Sequence, residues 1–259
     1  MNKLQKLFAL IKTSDSAGEV RHGCAAASRR IYHRVRARMY QKSTSYSFRR
    51  SLVANNALNC NDKATENDKV LYLTFDVEWI APDNVNKILD VLKQKNIPAA
   101  FFFIGSGIKR NSDIVHRIVS EGHITCNHTF NHPDLTTCTH RVLKRELKMC
   151  AKEFYEVCGK KLSMVIRPPY GYIDILTAIR LNRLGYTTLL WNMHFKDYDQ
   201  SDPATWNTIS AHIDSTINSG NIILQHSHSP QTTQFIGEYI DRCLEKGYRF
   251  GTLDEFIGL

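Results

Sequence analysis

From Val70 onward, short apolar runs alternate with single amphipathic stretches, and Gly, Pro or a polar residue ends nearly every one. This alternation constrains the chain more than any other feature. A strand, a helix and a strand in succession force a crossover connection, so consecutive strands pair in parallel. Residues 70–75, 98–104, 124–126, 164–166, 186–191 and 221–225 read as buried strands. Residues 83–95, 113–120, 139–158, 173–184, 203–219 and 235–246 carry helical periodicity. In the first of these helices Val85, Ile88, Leu89 and Leu92 share one face, and Pro82 suits its start. Residues 249–259 read as a short strand and a cap. The expected class is α/β, a βα-repeat architecture built as a barrel or an open sheet.

Polar or reactive side chains follow many of these strands: Asp76, His128, Arg167, His194 and His226. A β/α barrel places its active site at the C-terminal ends of its strands. A purely structural protein has no reason to repeat that placement, so the pattern points to an enzyme. The Phe101-Phe102-Phe103 run reads as core strand and not as a ligand platform.

The chain has 259 residues and a formal net charge of +9. The charge is uneven: residues 1–68 hold 13 Lys and Arg against 5 acids, and the remainder 21 against 20. Residues 1–68 are therefore expected to form a basic, disordered extension, and residues 69–259 the folded domain. Transit-peptide and anionic-surface readings of the extension stay open. It shows no aromatic platform for nucleic acid. No apolar run is long enough to span a bilayer, and the run at 7–11 is short for a signal peptide.

Two histidines four apart, His128 and His132, with Pro133 fixing the exit, have the look of a metal clip, since imidazoles at short spacing can converge on Zn²⁺ or a neighbouring first-row ion. The competing reading is a pair of solvated loop histidines. Asn127-His128-Thr129 is formally a glycosylation sequon; its overlap with the histidine pair in a concave site reads as coincidence. None of the seven cysteines forms a CxxC pattern. A Cys60–Cys243 bridge would tie down both ends of the body, and small buried thiols are the equal alternative.

Taken together, the motifs resemble the polysaccharide deacetylase (NodB-homology) domain of carbohydrate esterase family 4, which includes chitin deacetylases. Leu73-Thr-Phe-Asp76 resembles the family's T-F-D-D-G. Residues 121–136, with Asn127-His128-Thr129 and His132-Pro133-Asp134-Leu135-Thr136, resemble G-N-H-T-x-x-H-P-x-L-T. Arg167-Pro-Pro-Tyr-Gly171 matches R-P-P-Y-G, residues 191–198 loosely resemble a fourth motif, and Leu224-Gln-His226 resembles L-x-H. The resemblance spans residues 70 to 257 and implies a distorted (β/α) barrel of about seven repeats.

It also implies a site. His128 and His132 would be ligands of Zn²⁺, Co²⁺ or another divalent metal. Asp76 would be the base, Arg167 would hold it ionised, and the Tyr170 backbone N–H would face the oxyanion. His226 would be the acid, Asp197 would orient its partners, and Leu224 and Trp191 would line the pocket. The implied activity is deacetylation of N-acetylglucosamine units in chitin or a related polysaccharide by a monomer, in a secreted or cell-wall setting. The departure is Val77, where the family has a second, metal-binding Asp. Glu78 lies on the same side of an extended strand as Asp76 and is one substitute. Otherwise Asp76 itself turns to the metal, or the site stays empty and the chain is a non-enzymatic carbohydrate-binding homologue. His194 and Tyr198 stand where the family often has Asp and Trp. His228 adds a second histidine after the fifth motif and reads as a surface residue.

Overall fold

The computed structural model describes residues 69–78, 81–195, 197 and 204–258. The basic extension, Cys60 and Tyr198 lie outside the described residues. Among the described residues, seven parallel strands carry the fold: β1 (Val70–Val77), β2 (Ala100–Phe103), β3 (Ile124–Asn127), β4 (Val165–Ile166), β5 (Thr187–Thr188), β6 (Asn221–His226) and β7 (Arg249–Phe250). Between and after them run α1 (Pro82–Lys95), α2 (Gly105–Ile108), α3 (Ser112–Ser120), α4 (His140–Cys158), α5 (Ile175–Arg183), α6 (Trp206–Thr216), α7 (Pro230–Glu245) and α8 (Leu253–Ile257). The sheet order is β5-β4-β3-β2-β1-β6, with β7 on the start of β1.

The sheet curls into a half-barrel, and irregular chain draws its edges together. After β5, Leu189 N–H donates to Ile166 O of β4, while Met193 bridges to Ile223 of β6. The segment between them spans from one edge of the sheet to the other. This explains why the expected strand at 186–191 is only two residues long: the chain leaves β4 early to reach β6.

Side-chain alternation divides each strand between two layers. On β1, Leu71, Leu73, Phe75 and Val77 pack outward with Val85, Ile88, Leu89 and Leu92 of α1. Fully burying each such aliphatic side chain stabilises the fold by about 1.5–3 kcal/mol. Val70 and Tyr72 point inward, joining Ala100, Phe102, Cys126, Val165, Leu189 and Ile222. Leu253 and Phe256 of α8 close this inner cluster, with Phe256 edge-on to Tyr72 at 4.9 Å. The half-barrel thus has an apolar interior at the α8 end. The Phe101-Phe102-Phe103 run is core, as expected, with all three rings fully buried.

The short α2 was not expected, and two helices start three or more residues from the expectation. α6 begins at Trp206, where Thr205 and Thr208 form a reciprocal capping box. α7 begins five residues before the expected start of 235, because Ser229 caps the Thr232 N–H and Pro230 occupies the first turn. Of the expected Cys60–Cys243 pair, Cys60 lies outside the described residues, and Cys243 is a buried free thiol on the core face of α7. No helix of the described residues is long and apolar enough to cross a membrane.

Candidate active site

The inward rows turn from apolar to polar at the strands' C-terminal ends. Along β1 the row reads Val70, Tyr72, Thr74, Asp76 and then Glu78; along β6 it reads Ile222, Leu224 and His226, with Asp76 in register with His226. His128 follows β3 and Arg167 follows β4 in the same sense. Period-two geometry alone therefore brings Asp76, Glu78, His128, Arg167 and His226 to one mouth.

Arg167 is fully buried. Its Nη1 donates to Asp76 Oδ1 at 2.6 Å and its Nη2 to Thr74 Oγ1 at 2.8 Å. The guanidinium lies over the Phe102 ring at 4.1 Å and the Trp191 ring at 5.7 Å. Two aromatic faces and a carboxylate thus fix a cation that Lys could not replace. Trp191 is itself held close, because a Cβ on Gly171 would fall 2.7 Å from its ring.

The structure brings the two histidines of the expected clip together. His128 Nδ1 lies 2.7 Å from the Arg167 carbonyl, which can only accept, so Nδ1 carries the proton and Nε2 keeps its lone pair for the cleft. His128 Nε2 and His132 Nε2 are 3.2 Å apart. Glu78 Oε1 sits 3.3 Å from His132 Nε2 and 3.7 Å from His128 Nε2. Nitrogen lone pairs facing each other at this distance need a proton or a cation between them. Glu78, His128 and His132 form one of two groups among the described residues able to hold a metal, the other being Asp76, Glu78 and His226. Two imidazoles, one carboxylate and an open side match the donor set of a catalytic zinc site. Burial opposes ionisation of Glu78, yet the neighbouring imidazoles and the charge of His226 hold its carboxyl well below the usual range.

Val77 cannot take part. It is fully buried in the outward layer against α1. β1 stays a regular strand through this residue, so its side chain faces away from the mouth.

Asp197 is buried and holds His226 twice over: Oδ1 faces His226 Nδ1 at 2.9 Å, and Oδ2 accepts the His226 backbone N–H at 2.6 Å. Thr232 Oγ1 also donates to Oδ2 at 2.6 Å. With Nδ1 turned to Asp197, His226 Nε2 faces Glu78 Oε1 at 3.9 Å. Burial works against a charge on His226, but Asp197 outweighs it, with help from Asp76 and Glu78, and the imidazole is pushed up to about 9. His226 is therefore protonated at neutral pH.

His228, read from sequence as a surface residue, is half-buried with its ring 5.7 Å from that of His226. Burial and the His226 charge push its pKa down. His194 packs edge-on to Trp191 at 6.5 Å. The sequon reading as coincidence fits the structure: Asn127 is fully buried, its Oδ1 accepts the Thr129 N–H, and its Nδ2 donates to Leu147 O.

The sequence reading missed Glu146, on the core face of α4. Buried Glu146 accepts from Phe130 N–H at 3.2 Å, from Asn131 N–H at 2.8 Å and from the Asn131 amide at 3.1 Å, clamping the loop between the two histidines. Its position on the apolar stripe of a helix was the available signal. Backbone strain marks the same place. Among the described residues, four non-glycine residues have positive φ, and three of them, Thr129, His132 and Tyr170, lie at this mouth. For a β-branched residue such as Thr129 that conformation is costly and persists only where the surroundings impose it.

Fold and site together define a half-barrel that gathers carboxylates, histidines and a buried arginine at its strand ends. The comparisons agree. A family model described as polysaccharide deacetylase matches residues 63–189. The peptidoglycan-N-acetylmuramic acid deacetylase PdaA of Bacillus subtilis is 32% identical over 190 residues, covering 73% of this chain and 72% of the relative. A chitooligosaccharide deacetylase of Rhizobium leguminosarum bv. trifolii is 31% identical over 198 residues, covering 76% and 87%. The structure of Bacillus subtilis PdaA, described as a family 4 carbohydrate esterase, superposes with a TM-score of 0.69 at 31% identity, covering 74% of this chain and 81% of that one. The chain belongs to the polysaccharide deacetylase family, family 4 of the carbohydrate esterases.

Proposed function

We propose that this protein is a divalent-metal-dependent hydrolase that removes acetyl groups from N-acetylglucosamine units of a chitin- or peptidoglycan-type glycan. The observation that carries the reading is Glu78 Oε1, set against both histidine Nε2 atoms on the side of β1 that Val77 leaves. The competing reading, a glycan-binding homologue without catalysis, rests on Val77. Glu78 supplies the carboxylate that Val77 lacks and so favours the active reading.

Glu78, His128 and His132 would hold the metal. Bound there, it would polarise the acetyl carbonyl and make water more acidic. Asp76 would act as base, with Arg167 gripping Oδ1 and Oδ2 left on the side of His128 Nε2, 3.6 Å away. The water oxygen would add to the acetyl carbon while its proton passes to Asp76. The Tyr170 backbone N–H would meet the developing oxyanion. His226 would deliver its Nε2 proton to the sugar nitrogen as the C–N bond breaks, leaving acetate and a free amine. Asp197 would keep that imidazole oriented, and Leu224 and Trp191 would enclose the acetyl group.

Bound metal and acetate release from N-acetylglucosamine oligomers, with added Zn²⁺ or Co²⁺, test this directly. Wild type is expected to bind one equivalent and release acetate. Glu78→Gln should bind metal about 10–100-fold more weakly and lose at least a comparable factor in rate. A wild type that binds oligomers but takes up no metal and releases no acetate would establish the competing reading.

A further inference from the structure

The outer face of α4 concentrates positive charge that the chemistry at the mouth does not use. Residues 69–259 hold 21 Lys and Arg against 20 acids, so the domain is nearly neutral. Seven of those cations and three of those acids fall within residues 140–161, leaving 14 against 17 elsewhere. One of the three acids, Glu146, is turned into the core. Arg141, Lys144, Arg145, Lys148 and Lys152 are all exposed, and Lys160 and Lys161 continue the run past the helix. Positions 141, 145, 148 and 152 follow the spacing of one helix face, opposite buried Leu143, Leu147, Cys150 and Phe154. At about 1.5 Å per residue the stripe is roughly 16 Å long.

The stability of the helix does not call for this arrangement. On other helices the charges follow the dipole: α1 opens with Asp83 and closes with Lys93 and Lys95, and α3 opens with Asp113 and closes with Arg117. α4 has no acid in its first turn and no base in its last. Arg141 instead sets a cation at the positive end of the dipole. Arg141 and Arg145, Lys144 and Lys148, and Lys148 and Lys152 are like-charged pairs four apart, which weaken a helix. Lys95, Arg117 and Arg242 on other helices pair with Asp241, Asp90 and Asp214. Among the described residues, Lys152 is the one cation of the α4 stripe with a carboxylate partner, Glu156 at 3.4 Å. The other four stand ready for an anion from outside the chain.

Two further side chains indicate which anion. Met149 is 36% exposed and Tyr155 54% exposed. Met149 comes four residues after Arg145 and Tyr155 seven after Lys148, so both lie on the basic face. A soluble polyanion has little use for them, whereas the headgroup layer of a bilayer accepts an apolar tip and an amphipathic ring among its charges. We propose that the outer face of α4 docks on an anionic lipid surface, with its cations on the headgroups and Met149 and Tyr155 set between them. This goes beyond the deacetylase reading and does not depend on it. α4 follows the loop that carries His132, so its first turn lies at the mouth end of the half-barrel.

Co-sedimentation of the full chain with vesicles tests the docking, using phosphatidylcholine alone and phosphatidylcholine with about 30% phosphatidylglycerol. Wild type is expected to bind the anionic vesicles at least about tenfold more tightly than the neutral ones, and more weakly as salt rises. Arg141→Gln/Lys144→Gln/Arg145→Gln/Lys148→Gln should weaken that binding by about tenfold or more, with residues 1–68 left unchanged. Its urea midpoint should equal or exceed that of wild type, because like-charged pairs are removed. Tyr155→Ala removes no charge and should weaken binding about three- to tenfold. Vesicle binding that survives the fourfold substitution belongs to residues 1–68 and overturns the proposal. Wild type that binds soluble polyphosphate but not anionic vesicles overturns it as well.

Discussion

At the scale of single residues, Val77 and Glu78 divide two tasks between neighbours. Val77 fills the helix-facing core and Glu78 reaches the histidines. Val77→Asp, the obvious repair toward the family's motif, would push a carboxylate into the apolar layer beside α1. It should destabilise the fold by about 2–5 kcal/mol, read as a lower urea midpoint, and should not raise acetate release. A variant of unchanged midpoint with increased turnover would show that β1 can turn its 77th residue to the mouth. Much of the site was legible in the sequence at this scale. The strand period placed Asp76 and Glu78 together, and the His128/His132 spacing marked the cradle. The clamp by Glu146 was not legible, because an acid on the buried face of a helix looks the same in sequence as one at its edge until the loop it holds is known.

At the scale of elements, α4 serves the site through that one side chain. It is capped by Thr139 and packs Leu143, Leu147, Cys150 and Phe154 inward, with Glu146 in the same buried set. Glu146→Ala would leave the Phe130 and Asn131 backbone N–H groups without their acceptor. We expect a loss of about 2–4 kcal/mol in urea unfolding and about 10–100-fold weaker metal binding. Glu146→Gln keeps one acceptor oxygen and should lie between. Equal metal affinity in all three proteins would reduce Glu146 to a purely structural role. Element boundaries were only partly readable. The Ser229-Pro230 start of α7 was written in the chain, but the apolar period strengthens only later in the helix. The brevity of β5 was not written there, since its apolar residues serve the crossing to β6 rather than a ladder.

At the scale of the whole molecule, apolar layers on opposite faces of one curved sheet leave the thiols with contrasting access. Cys126 is inside the half-barrel, and Cys150 and Cys243 are in the outer core. Burial pushes the thiols of Cys150 and Cys243 up to about 12 and that of Cys126 higher still. Cys138 and Cys158 are only partly buried. Brief alkylation of native protein followed by peptide mass mapping should mark Cys138 and Cys158 and spare Cys126, Cys150 and Cys243 until denaturant is added. Early labelling of Cys243 would mean that α7 lifts from the sheet. The alternation that separates these layers also sets a rule for change. The carboxylates at the mouth end of β1, Asp76 and the Glu78 that follows the strand, occupy even-numbered positions, because odd positions pack against the helices. A lineage with this scaffold can therefore relocate a ligand along the strand only in steps of two; a step of one exchanges chemistry for packing. The interior offers a lattice of discrete slots, and variation among such proteins amounts to choosing which slots to fill.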